Sequence, residues 1–146
     1  TVAAIEARLA GVRARVAGKR RPRTLLVFSR EPKTLRNIYV SGGRGFLHDM
    51  LEIAGGEDVF NAVDKESVQV STETILARAP EVILELRPEE IPAGRPMQDE
   101  LASWSRLAAV PAIRNKQVLF ISGQAVTVPG PRVAESVERM ARALHP

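Results

Sequence analysis

The sequence predicts an α/β fold in which helices cover both faces of a mostly parallel central sheet. Three short apolar runs have the composition of buried strands, and amphipathic segments with helical spacing alternate with them. Strands that alternate with helices form parallel sheets with right-handed crossovers. We therefore predict a three-layer α/β/α lobe, preceded by the end of a longer helix.

The first segment is predicted to be helical because residues 2–16 repeat apolar side chains at intervals of three and four. Gly18 and Pro22 end this helix. The apolar stripe is narrow and begins at once, as expected for the tail of a longer helix. Its members are Val2, Ile5, Leu9, Val12 and Val16.

The first strand is predicted at residues 24–28, an apolar run of the kind that a parallel sheet buries on both faces. Residues 29–41 are polar and are predicted to connect this strand to a helix at 44–54. That helix begins at a glycine-rich turn and ends at Gly55-Gly56.

The second half of the chain repeats the alternation. Ser71 is a good N-cap for a helix that ends at Ala79, before a strand at 81–84. Residues 85–97 contain three prolines and a glycine and are predicted to form a loop. The remaining elements are a helix at 97–107, a strand at 117–121 and a last helix that starts near Pro131.

Composition excludes several classes of protein. The 146 residues suit one compact domain, and no apolar run approaches the roughly 20 residues that span a bilayer. The absence of cysteine excludes disulfides and thiolate chemistry. The net charge of +4 arises from residues 8–23, where a solvated helix face is a commoner explanation than nucleic-acid binding.

The turn Gly42-Gly43-Arg44-Gly45 precedes a helix and therefore raises the possibility of a phosphate site. The dinucleotide fingerprint is incomplete, because His48 occupies the place of its third glycine. The connection from Phe28 to Ser41 is also too long for the tight turn of a nucleotide fold. A plain helix start is favoured, with a ligand-facing loop as the main alternative.

No catalytic or metal-binding set of residues emerges. His48 and His145 are the only histidines and have no partners at metal-ligand spacing, so His48 is predicted to be a surface or rim residue. Trp104 has helical spacing with leucines and is predicted to lie in the core. Tyr39 precedes the glycine-rich turn, where an aromatic ring can stack on a flat ligand.

Glu73 lies in the first turn of the helix that follows Ser71. An acidic residue there stabilises the helix dipole. An exposed anionic contact for a basic partner is the alternative, and the residues alone leave both open.

Four segments together carry a family resemblance: 39–60, 70–86, 104–121 and 129–146. In this order they resemble the C-terminal lobe of the helical-backbone periplasmic binding proteins. These are the substrate-binding subunits of ABC importers for cobalamin, ferric siderophores and haem. The resemblance implies a solute-binding protein and not an enzyme.

The resemblance also implies a domain organisation. Residues 1–20 correspond to the end of the helix that links two lobes, and residues 21–146 to the C-terminal lobe. The N-terminal lobe is absent from this chain. The expected location is periplasmic or lipid-anchored outside the cytoplasm. The expected partners are an ABC permease, a small metal chelate and the missing lobe, with no nucleic acid and no membrane span.

The resemblance assigns roles to six positions. Arg44 corresponds to the start of the cleft-facing helix, and Glu73 to the glutamate that docks on the permease. The implied ligand-binding residues are Tyr39, Gly43, Arg44, Gln124 and Val126. No cofactor is implied; the expected ligand is a corrinoid, haem or ferric chelate.

Two features depart from the cobalamin binders. Ser67 stands where they often have a tryptophan, and residues 124–128 contain no aromatic side chain. A siderophore or haem therefore stays open as the ligand. Two other functions also stay open: a lone lobe used as a sensor or interaction module, and a nucleotide-binding enzyme domain.

Overall fold

The computed structural model describes residues 2–31, 34–87, 98–122 and 133–145. The helices are α1 (Val2–Val16), α2 (Phe46–Ile53), α3 (Thr72–Arg78), α4 (Gln98–Trp104), α5 (Pro111–Arg114) and α6 (Val133–Leu144). The strands are β1 (Arg23–Ser29), β2 (Ile38–Ser41), β3 (Glu57–Asp58), β4 (Ser67–Val70), β5 (Val82–Arg87) and β6 (Val118–Ser122). The predicted alternation of strands and helices is confirmed.

The strands form one sheet in the order β4-β2-β1-β5-β6, and β3 pairs with the beginning of β1. The β1–β5 and β5–β6 pairs are parallel. β2 pairs antiparallel with both β1 and β4 and so runs against the other described strands. The predicted, mostly parallel sheet is therefore confirmed.

Two apolar clusters lie on opposite faces of this sheet. Successive side chains of β1 alternate between them, because strand residues point to opposite faces with a period of two. Leu26 contributes to the cluster under α1, α2 and α6. Leu25 and Val27 contribute to the other cluster, together with Trp104 and residues of α3 and α5. This arrangement is the three-layer lobe that the sequence predicts.

Helix α1 packs on the lobe through its second half. Val12 and Val16 are buried, whereas Val2 is 73% exposed. An ion pair between Arg8 of α1 and Glu138 of α6 also joins the two helices. The predicted apolar stripe is thus only partly covered within the described part of the chain.

Two parts of the predicted secondary structure are wrong. Residues 29–41 contain β2, a strand of only four residues that is too short to show a clear alternation. Residues 85–87, predicted as loop, continue β5. The charged residues at 85 and 87 hide the strand pattern in the sequence. The fold compensates them, because Glu85 pairs with Arg30, which is distant in sequence, and Arg87 pairs with Glu85.

Candidate functional site

The parallel strands end together at one edge of the sheet. β1 ends at Ser29, β5 at Arg87 and β6 at Ser122. Open α/β sheets bind ligands outside the carboxyl ends of their strands. This edge, which we call the carboxyl edge, is therefore the place where a ligand is expected.

Tyr39 lies at the carboxyl edge. Because β2 is antiparallel to β1, its second residue stands opposite Ser29, the last residue of β1. Tyr39 is 37% exposed, and its ring centroid lies 6.4 Å from that of Phe28. Its ring is thus accessible to a ligand while one side rests on another aromatic side chain.

The glycine-rich turn follows the opposite end of β2 and packs on the loop 61–66. The amide of Gly42 donates to Glu66 O at 3.1 Å, and that of Gly43 donates to Val63 O at 2.8 Å. A Cβ atom at Gly43 would lie only 2.1 Å from Asn61 O. These two glycines therefore allow close packing, and their amides are already engaged within the chain.

Arg44 projects from this turn into solvent. Its side chain is 62% exposed and pairs with Asp64, with Arg44 Nε 3.2 Å from Asp64 Oδ1. Exposed ion pairs contribute at most about 1 kcal/mol, so the guanidinium can exchange Asp64 for an anionic group. β2 separates Arg44 from Tyr39, which stands at the other end of the strand.

His48 is buried, so its prediction as a surface or rim residue is wrong. Its Nδ1 lies 3.3 Å from Asp58 Oδ2, and its Nε2 lies 3.3 Å from Glu52 Oε1. The fold places β3 beside the first turns of α2, which provides the buried histidine with an acidic partner. Asp58 is ten residues from His48 and lies in a different element, so no local sequence pattern indicates that the two meet.

The carboxyl group of Asp58 forms hydrogen bonds with residues on both sides of the glycine-rich turn. Burial raises the pKa of its carboxyl group, and hydrogen bonds from the Phe60 amide, His48 and Ser41 oppose that shift. Ser41 precedes the turn and His48 follows it. The acid stands between the serine and the histidine, whereas a hydrolase triad needs the histidine between nucleophile and acid. The group is therefore an anchor for the turn.

The raised pKa of Asp58 predicts how stability depends on pH. The folded state binds the proton more tightly than the unfolded state, so this contribution is complete below the ordinary value of 3.8 and is lost as pH rises through the raised value. We expect Asp58→Asn to remove it while keeping an oxygen for the Phe60 amide. The wild-type minus variant free energy of unfolding should decrease from pH 3.5 upward.

Urea denaturation at several pH values checks this expectation. Asp64→Asn is the matched control, because the Asp64 side chain is 93% exposed. The wild-type minus Asp64→Asn free energy of unfolding should not decrease over the same pH range. A wild-type minus Asp58→Asn difference that rises with pH would contradict the assigned direction.

A buried ionic cluster lies just inside the carboxyl edge. Arg30 follows β1, and its Nε donates to both oxygens of Glu85 on β5 at 3.0 and 3.1 Å. Glu85 also accepts from Trp104 Nε1 at 2.9 Å and from Arg87 Nη1 at 2.8 Å. Glu100 of α4 completes the cluster through Arg30. Two cations and two anions thus neutralise one another.

This cluster is not predicted from the sequence, whereas the predicted core position of Trp104 is correct. Trp104 is fully buried, and the Arg30 guanidinium lies 5.1 Å from the centroid of its ring. The available signal was a charged residue directly after or within each of two apolar strands. Without the fold, nothing indicates that these charges meet.

Glu73 is exposed on α3, as predicted. The helix begins at Ser71, whose Oγ accepts from the Thr74 amide at 3.3 Å. Val70, the last residue of β4, pairs with Ile38 at the beginning of β2. Glu73 therefore stands on the same side of the lobe as Tyr39, on a capped and well-defined helix start.

The described residues contain no group of three His, Asp or Glu side chains that could hold a metal ion. In the same ranges, no helix has the length and apolar character of a membrane span. Residues 1–125 match the profile of the periplasmic binding protein family. The chain belongs to this family. No curated protein sequence matches it.

Solved structures share the fold of this periplasmic binding protein. A protein of an Fe3+-hydroxamate transport system from Saccharomonospora viridis is 23% identical, with a TM-score of 0.81. The match covers 99% of this chain and 48% of that protein. The vitamin B12 binding protein of Vibrio cholerae is 24% identical with a TM-score of 0.73, covering 95% and 50%. The haem-binding protein of Roseiflexus is 20% identical with a TM-score of 0.75, covering 98% and 53%.

Our periplasmic binding protein thus spans about half the length of these structures. Its fold brings Tyr39 and Glu73 to one side of the lobe, with Gly43 and Arg44 beyond the other end of β2. Gln124 and Val126, the two remaining predicted ligand contacts, lie outside the described residues.

Proposed function

We propose that this chain is the C-terminal lobe of the solute-binding component of an ABC importer. Residues 21–146 form the lobe, and residues 1–20 end the helix that joins it to an N-terminal lobe. The observation that carries this proposal is the shared fold, which extends over 99% of the chain and 48% of a two-fold longer binding protein. The proposed location is outside the cytoplasm, in the periplasm or on a lipid anchor.

The proposed ligand is a metal chelate: a corrinoid, haem or a ferric siderophore. The similar structures bind ligands of these classes by name. The accessible ring of Tyr39 suits a flat ligand, and the exposed guanidinium of Arg44 suits an anionic one. Binding between two lobes requires no chemical step, so the proposed function is capture and delivery without catalysis.

Glu73 is proposed to dock the loaded protein on the permease. An exposed carboxylate at a capped helix start is held in a defined direction. Such a charge gives orientation and charge-assisted hydrogen bonds to a basic surface. Its position on the side of Tyr39 lets the binding site face the permease during docking.

A nucleotide-binding enzyme domain is a weaker candidate. A phosphate site at a glycine-rich helix start needs backbone amides that point at the ligand. The amides of Gly42 and Gly43 are bonded to carbonyl oxygens of the loop 61–66 instead. Thermal protection by nucleotides would contradict this conclusion.

Titration of the full-length gene product with a ligand panel tests the proposal. The panel contains ferric protoporphyrin, cobalamin, a ferric catecholate and a ferric hydroxamate. We expect at least one Kd of about 1 μM or tighter, which corresponds to about −8 kcal/mol. Glu73→Arg is the control, because a docking residue leaves ligand affinity unchanged. Absence of binding to every member of the panel would refute the proposed function.

A further inference from the structure

Phe28 and Tyr39 form an aromatic pair on neighbouring strands. Their ring centroids are 6.4 Å apart and their planes are inclined by 42°. This spacing lies within the roughly 4.5–7 Å range of favourable aromatic pairs. The pair is adjacent to the end of β1, where Tyr39 stands opposite Ser29.

The two rings differ in how they are supported. Phe28 is half-buried and packs against the apolar cluster under α1, α2 and α6. Tyr39 is 37% exposed. The core therefore restrains Phe28, and Phe28 in turn supports one side of the accessible Tyr39 ring.

A supported ring binds better than a mobile one, because less conformational freedom is lost when a ligand stacks on it. Trp104 cannot take this role, since it is fully buried on the other face of the sheet. Among the aromatic side chains in the described ranges, that of Tyr39 is the most exposed.

We propose that Phe28 is a positioning residue that holds the Tyr39 ring ready to stack on a flat, conjugated part of the ligand. This inference rests on the proposed function and narrows its ligand class. A porphyrin, a corrin or a catecholate presents such a surface, whereas a ferric hydroxamate with an aliphatic backbone does not.

A double-mutant cycle in the full-length gene product tests this inference. Phe28→Leu, Tyr39→Leu and the double variant are titrated with ferric protoporphyrin, cobalamin, a ferric catecholate and an aliphatic ferric hydroxamate. Phe28→Leu should weaken binding of a flat ligand about 2- to 12-fold, the worth of an aromatic pair. In the Tyr39→Leu background it should cause no further loss.

Two controls separate positioning from a general loss of stability. Phe28→Tyr keeps an aromatic ring and should retain the wild-type affinity. Phe60→Leu removes a ring from the opposite core and should lower the urea midpoint without changing ligand affinity.

The outcomes distinguish this inference from the proposed function. Equal losses from Phe28→Leu with and without Tyr39 would overturn the positioning role. If the wild-type protein binds the hydroxamate and none of the flat ligands, the flat-ligand class is overturned and the proposed function still stands. Absence of binding to all four probes would overturn both.

Discussion

Glu85→Ala is expected to lower the free energy of unfolding by about 3–5 kcal/mol. The Arg30 side chain is completely buried, and both oxygens of Glu85 accept hydrogen bonds from its Nε. Removal of the carboxylate leaves the buried cluster with one excess positive charge. It also leaves the Trp104 N–H without this acceptor. A buried cation that loses its anion costs more than a broken surface pair, because the protein interior solvates charge less well than bulk water does.

Urea denaturation of two further variants gives this expectation its comparison. Glu135→Ala breaks an exposed pair with Arg139 within α6 and should cost no more than about 0.5 kcal/mol. The double variant Arg30→Met, Glu85→Leu removes one charge of each sign and should be less destabilised than the sum of its single changes. A Glu85→Ala protein within about 1 kcal/mol of wild type would show that the cluster is not the stabilising unit we describe.

Glu73→Arg is expected to reduce transport by about tenfold or more while leaving ligand affinity unchanged. The substitution replaces the proposed docking anion with a cation, which would face the basic permease surface that the proposal requires. Juxtaposed like charges at an interface cost several kcal/mol, and each 1.4 kcal/mol corresponds to a factor of about ten. The side chain is exposed, so the fold should tolerate the change.

Transport into vesicles that contain the cognate permease measures this effect. Glu6→Arg is the matched control, since Glu6 is an exposed glutamate on α1. Glu73→Gln should give an intermediate loss of transport. Added salt should reduce the difference in transport between this variant and wild type. Equal transport by Glu73→Arg and Glu6→Arg would remove Glu73 from the docking surface.

The sequence by itself predicts the class of the fold. The apolar runs that become β1, β5 and β6 have the composition of doubly buried strands, and the segments between them have helical spacing. The start of α3 is also predicted correctly, because Ser71 caps this helix as its side chain indicates. These properties are local: each depends on residues within a few positions of one another.

The resemblance of four segments to a known family predicts the family in the same way, and the family match confirms it. It leaves the individual residues as proposals. The exposure of Glu73 agrees with its proposed role. Tyr39 and Arg44 are both predicted to bind the ligand and are close in sequence, yet the extended strand β2 holds them at its two ends.

Only the tertiary structure decides which polar residues are buried. His48 has the sequence context of a surface residue, and Asp58 ten positions later makes it an interior one. Arg30 and Glu85 are 55 residues apart and meet because β1 and β5 pair in parallel. A charge can leave water only when an opposite charge and hydrogen-bond partners compensate it. Those partners come from distant segments of the chain. The local sequence pattern therefore determines the helices and strands, whereas the packing of these elements determines which polar residues meet at the site.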